Sequence, residues 1–176
     1  MSYIKMTLAV LLFASPAFAQ SMPAVGAPSC GPTGVSFDVT GDNKVHAIPA
    51  PAPEKALVVF LQDDARFASI PRPTTRFGID GNWVGATHKD SYFYVFVDPG
   101  EHHLCASWQD RVSLTSVRSI AALHFTAEAG KAYFFRAEDV VYPSRPPAQL
   151  QFAGLDSDEG EILVSSFSLS SSHPKK

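Results

Sequence analysis

From residue 35 onward the chain is built of short apolar or alternating runs separated by turn residues. Val35-Ser-Phe-Asp-Val39 alternates apolar and polar positions, the mark of a half-buried strand. Ile48-Pro-Ala-Pro-Ala-Pro53 has too many missing N–H donors for a central strand and reads as an extended surface connector. Ala56-Leu-Val-Val-Phe-Leu61 is apolar throughout, short and β-branched, which predicts a strand buried on both faces. Asp80-Gly81 stands between two apolar stretches, Arg76–Ile79 and Asn82–Gly85, and predicts a hairpin, because Gly accepts the positive φ a primed turn demands. A two-residue turn pairs Gly78 with Trp83 and places Trp83 opposite Phe77 and Ile79. A three-residue loop pairs Ile79 with Trp83 and turns Trp83 to their side. A one-residue slip separates these registers, and both stay open at this level.

Tyr92-Phe-Tyr-Val-Phe-Val97 is apolar on both faces, hence central. Asp98-Pro99-Gly100-Glu101 has type II turn chemistry and predicts an antiparallel return over His102–Trp108. There Leu104, Ala106 and Trp108 share the core face and Cys105 the other. After a polar loop near 109–118 come strands over Ile120–Thr126 and Ala132–Tyr142, the latter with Tyr133, Phe135 and Ala137 inward. Pro143–Pro147 breaks the pattern and Leu150–Leu155 resumes it. Asp156-Ser-Asp-Glu159 has capping-box spacing, with Asp156 as cap and Glu159 reaching back, and predicts a helix over 157–168 that buries Leu163 and Phe167. About eight or nine short strands with one terminal helix predict an all-β antiparallel sandwich.

The ends behave differently. Residues 1–19 run from Lys5 through the apolar stretch Met6–Phe13 to Ser15-Pro-Ala-Phe-Ala19, the order of a secretory signal peptide, with cleavage expected between Ala19 and Gln20. The apolar stretch is short of the roughly 18–20 residues an anchor needs, and no later run reaches that length. The first Cys, Cys30, lies well past the cleavage position, so lipid anchoring is not expected. The expected organisation is a leader over 1–19, a flexible lead-in over 20–33, one sandwich over 34–168 and a solvated, disordered tail over 169–176. The expected location is the periplasm or the outside of the cell, with the chain soluble after cleavage.

Composition narrows the function classes. Without Lys5, 13 basic residues stand against 17 acidic ones, a net charge of −4 with His neutral, and no basic stripe is present. Nucleic-acid binding is therefore not expected. Cys30 and Cys105, an even pair in an oxidising compartment, predict one disulfide, with free thiols or a catalytic Cys as the rival. The absence of Cys-x-x-Cys leaves a thioredoxin-like role unsupported.

An ordered set of segments supports a resemblance: Phe77-Gly-Ile-Asp-Gly-Asn-Trp-Val-Gly85, Ser91-Tyr-Phe93, Asp98-Pro-Gly-Glu-His102, Ala129-Gly-Lys-Ala-Tyr133 and Asp156-Ser-Asp-Glu-Gly160. Over about residues 55–165 the chain resembles the bacterial domain-of-unknown-function family numbered 2846. Its hairpin and Pro-Gly-x-His stretch resemble the PEGA domain, an exported β-module linked to carbohydrate or envelope contacts. The resemblance implies a bacterial, exported, sandwich-like module with no assigned activity and no catalytic residues to carry over. Many relatives look like lipoproteins, and this chain departs from them in lacking the anchoring Cys.

Candidate chemistry is sparse. His102-His103 beside Cys105 suggests a metal, yet neighbours on a strand point to opposite faces, so no metal is expected there; the rival is convergence of His88 and His124 with His103 in three dimensions, to which nothing in the spacing points. Asp63-Asp64 reads as a solvated turn. Asp156, Asp158, Glu159 and Glu161 read as helix-start charges, with calcium as the rival. No nucleophile elbow, zinc-protease motif or phosphate loop occurs, and no cofactor is implied. Trp83, Tyr92 and Tyr94 form the candidate ligand site, an aromatic platform for a sugar or peptide, with plain core packing as the alternative. The expected function is a non-catalytic envelope or extracellular binding or structural module, its partner an envelope glycan or another envelope protein. The rival is a hydrolase built from loop carboxylates with His88 or His102. A bare sheet edge or exposed aromatic patch favours the former, a deep pocket of perturbed titratable groups the latter.

Overall fold

The computed structural model describes residues 30–67, 71–110, 119–142 and 145–176. The expected leader over 1–19 and most of the lead-in lie outside them, as does most of the loop near 109–118. The described residues form ten strands and one helix: β1 (Phe37–Asp42), β2 (Ala56–Asp63), β3 (Thr74–Ile79), β4 (Asn82–His88), β5 (Ser91–Val97), β6 (Gly100–Trp108), β7 (Ile120–Ala127), β8 (Ala132–Tyr142), β9 (Arg145–Leu155), α1 (Ser157–Ser166) and β10 (Ser168–Pro174). A six-stranded sheet runs β1-β10-β5-β2-β8-β9 and a four-stranded sheet β4-β3-β6-β7. The fold is an all-β sandwich. Most pairings are antiparallel, but β2 with β8 and β10 with β5 are parallel.

Alternation along β2 explains the layering. Ala56, Val58 and Phe60 join the core between the sheets, where the Phe60 ring lies 4.9 Å from Phe77 and 5.3 Å from Phe93. Leu57, Val59 and Leu61 face the other way, into a second cluster with Tyr92, Phe134, Val164 and Phe167. The six-stranded sheet is thus covered on both faces, which is why β2 reads as an unbroken apolar run.

Four expectations are corrected. First, residues 100–108 do not return beside β5. Asp98-Pro99 carries the chain into the other sheet, where β6 pairs with β3 and β7. Turn chemistry sets a change of direction; which sheet receives the strand is decided by its inward row of Leu104, Ala106 and Trp108. Second, the expected tail is β10, paired with β1 over six positions from Phe37↔Pro174 to Asp42↔Leu169. Its serines suit a partly buried strand because they are satisfied: Ser170 Oγ donates to Ser91 Oγ at 2.8 Å, and Ser172 Oγ accepts from the Ala86 N–H at 3.0 Å. Third, Pro146 and Pro147 lie inside β9 instead of ending the pattern, because β9 is an edge strand. Fourth, residues 30–33 belong to the domain, held by Cys30 and by Pro32, whose carbonyl accepts from Trp83 Nε1.

The helix begins as its sequence indicates, with Asp156 Oδ1 accepting from the Glu159 N–H at 2.9 Å. The reciprocal half of the box is absent, since the Glu159 carboxylate accepts from Arg136 Nη1 at 2.8 Å instead. The helix stops at Ser166, and Phe167 leaves it in an extended conformation.

Candidate functional site

The hairpin closes with the two-residue turn. Asp80 and Gly81 both have positive φ, 49° and 81°, and Gly78 pairs with Trp83. On its other side Gly78 pairs with Cys105, so Trp83, Gly78 and Cys105 form one row across the outer face of the four-stranded sheet. The bare Gly78 leaves room for the chain entering at Cys30. Cys30 bonds to Cys105, with the two Cα atoms 5.1 Å apart. Gly31 lies flat against the Trp83 indole, where a Cβ would come within 2.4 Å of its ring. The Arg76 guanidinium sits 4.3 Å from the ring centroid, and Arg76 Nη1 donates to the Val35 carbonyl. Trp83 is thus occupied by the chain's own N-terminal segment.

The proposed trio does not converge. Tyr92 is fully buried in the outer cluster, its hydroxyl donating to the Ala47 carbonyl at 3.0 Å, so it offers no ligand face. Trp83 lies on the outer face of the other sheet. Tyr94 is half-buried against the outer cluster, its ring edge-on at 6.4 Å to Phe96, which is 45 % exposed.

The histidines disperse as well. His102 Nδ1 lies 2.7 Å from Asp80 Oδ2 and Nε2 lies 2.8 Å from the Asp98 carbonyl. Burial lowers the His102 pKa, but the Asp98 carbonyl and Asp80 carboxylate outweigh it and the net shift is upward. Both ring nitrogens are thus engaged, and His102 ties the hairpin tip at Asp80 to the Asp98 carbonyl. His103 faces His124 across the β6–β7 ladder, the rings 6.3 Å apart, while His88 stands near Thr74 at the far end of β4. Among the described residues no group of three or more His, Cys, Asp or Glu is placed to hold a metal ion.

Asp63-Asp64 is not a solvated turn. Asp64 has no exposed surface and joins a polar cluster at one end of the inter-sheet core. Gln62 Nε2 lies 2.9 Å from Asp64 Oδ1 and 3.0 Å from Asp139 Oδ2, bridging two carboxyl groups. Thr87 Oγ1 donates to Gln62 Oε1 at 2.9 Å, and Trp108 Nε1 donates to Asp139 Oδ1 at 2.6 Å. Burial, then the Asp64 charge, pushes Asp139 up to about 9, so it is protonated at neutral pH. Burial also raises Asp64, against the hydrogen bonds of Gln62 and Asp139. Arg72, at the surface, reaches within 3.5 Å of Asp64 and 3.7 Å of Asp90. The motif is missed by periodicity because Asp64 and Asp139 are 75 residues apart; the polar Gln62 directly after the apolar run Ala56–Leu61 is the one local hint. These carboxyls touch none of the described open cavities.

The open feature is elsewhere. The β10–β5 ladder is only two pairs long, Ser168↔Ser91 and Leu169↔Tyr92. Beyond it β10 leans toward β4, drawn by the bond from the Ala86 N–H to Ser172 Oγ. A crevice of about 390 Å³ opens between the strands, with Val84 at its floor, Phe93, Tyr94 and Val95 on one wall and Ser170 to His173 on the other. It combines the unpaired β5 edge with the half-buried Tyr94.

Fold and site together define a disulfide-stapled β-sandwich whose six-stranded sheet is split beside β5. No protein-family model matches the chain, and no curated protein or solved structure matches it at a significant level. No helix among the described residues is long and apolar enough to cross a membrane.

Proposed function

We propose that the chain is an exported bacterial envelope or extracellular module that binds a partner without catalysis, through the β5–β10 crevice. The leader-like pattern of residues 1–19 and the Cys30–Cys105 disulfide support an oxidising compartment outside the cytoplasm. One observation carries the binding role: the unpaired β5 edge lies beside half-buried Tyr94 and exposed Phe96, while the Asp64–Asp139 carboxyl pair is sealed inside. A hydrolytic site needs its acid and base within reach of substrate, and His102 and Asp139 are both held by structural partners.

A photocrosslinking side chain at Ser171, with a second protein carrying it at exposed Glu161 on α1, tests the reading in producing cells. Adducts are expected from Ser171, not from Glu161, and to disappear when Val84→Trp fills the crevice floor. Equal labelling from both positions, or none from Ser171, rejects the crevice as the binding surface.

A further inference from the structure

We infer that the crevice accepts an extended polypeptide segment as an added strand; this rests on the binding-module reading and names its ligand class. β5 pairs with β2 along its whole length, from Gln62↔Ser91 to Ala56↔Val97. On its other side the ladder stops at Tyr92, while β10 runs on to Pro174 with β1 as its partner. Among the described residues no strand pairs with this side of β5 beyond Tyr92, while β10 turns toward β4, whose Val84 lines the gap. A strand edge offers N–H and C=O groups in alternation, and the ligand that answers such an edge is another extended backbone.

The lining argues against other ligand classes. Among the described residues it contains no Lys, Arg, Asp or Glu, so a cationic ligand finds no carboxylate there and an anionic one meets only His173 at the end of the wall. The wall's Tyr94 ring is half-buried, and its edge-on contact with Phe96 leaves no flat two-ring platform for a sugar.

Alternation also predicts the sequence preference. Phe93 and Val95 point into the inter-sheet core and Tyr94 toward the outer cluster. Inward side chains of an added strand meet Val84 and Val95 at a closed floor and must be small and apolar. Outward ones meet half-buried Tyr94 and Leu169 at the margin of the outer cluster and are larger and apolar. The preferred segment alternates small with large apolar residues and carries no charge at its centre.

The test is selection of seven-residue peptides from a random displayed library on the intact disulfide-bonded protein, followed by titration of the enriched peptides and of chitotriose as a peptide-free glycan. Enriched peptides are expected to show that alternation. N-methylation of the amides on one edge should weaken them about tenfold, the loss of one or two backbone hydrogen bonds. Val84→Trp should abolish binding, and exposed Ser171→Trp serves if the variant at half-buried Val84 does not fold. Equal affinity of the N-methylated peptides overturns strand addition but leaves a binding module. Absence of any enriched peptide while chitotriose binds and perturbs Tyr94 overturns the peptide class alone. Absence of both, with no adduct from Ser171, overturns both readings.

Discussion

At the scale of single residues, the Asp139 carboxyl receives Trp108 Nε1 at 2.6 Å and Gln62 at 3.0 Å, in a setting with no solvent contact. Two ionised carboxylates bridged by one amide would repel each other in low dielectric, so the pair keeps a proton. Its sign for stability follows. An unfolded Asp titrates near about 3.9, and the folded group near about 9. Between these values the native state holds the extra proton, so stability falls as pH rises, by up to about 1.4 kcal/mol per pH unit. The raised His102 adds in the same direction, its contribution present below its unfolded value and lost as pH rises through the folded one. Asp80, whose pKa is lowered despite burial by bonds from His103 and His102, opposes this only at the acid end. Thermal denaturation should show higher Tm near pH 5 than near pH 8.5. Asp139→Asn, which carries the neutral form permanently, should flatten most of that slope; an unchanged slope in the variant would show that Asp139 is ionised in the fold. None of this was legible beforehand. Asp63-Asp64 has the composition of a turn, and only the parallel β2–β8 pairing brings residue 139 to it.

At the scale of elements, legibility divides by the kind of signal. Ala56–Leu61 and the Asp80-Gly81 hairpin were readable because each is specified locally, by apolar content and by positive φ. The sheet assignment of β6 and the existence of β10 were not, since both depend on distant partners. Ser168-Leu-Ser-Ser-Ser-His-Pro174 shows little hydrophobic alternation; β1, Ser91 and Ala86 make it a strand. Ending the chain after Phe167 removes the whole β1 ladder and should lower Tm by about 10 °C or more, where loss of a free tail would change nothing. Helix α1 gives a second case. Gly160 rests on the Phe134 ring, and an added Cβ would come within 2.3 Å of it. Ala normally gains up to about 1 kcal/mol over Gly in a helix. Here both helix backbone and buried ring would have to move, a cost of about 1–3 kcal/mol. Gly160→Ala should therefore destabilise the protein by about 1 kcal/mol in urea unfolding, against its helix propensity.

For the whole molecule, the disulfide and Trp83 form a single device that fastens residues 30–35 over the four-stranded sheet. The bond spans 75 residues from before β1 to the middle of β6. Constraint of the unfolded chain by a loop of that length is worth about 4 kcal/mol. The native side adds Gly31 against the indole, the Trp83 bond to Pro32 and the Arg76 contacts to the ring and to Val35. Replacing Cys30 and Cys105 by Ala should lower the unfolding free energy by about 4 kcal/mol while β1, held by β10, keeps its place. The same variant separates the chain-entropy effect from the docking of the segment through its tryptophans. Trp108 is sealed in the core beside Asp139 and should keep its emission, whereas Trp83 loses its cover if the segment lifts. A red-shifted component in the folded variant that Trp83→Phe removes would show that the bond holds the segment down. Unshifted emission with the full stability loss would show instead that Arg76 and Pro32 suffice in the native state, and that the disulfide acts on the unfolded chain alone.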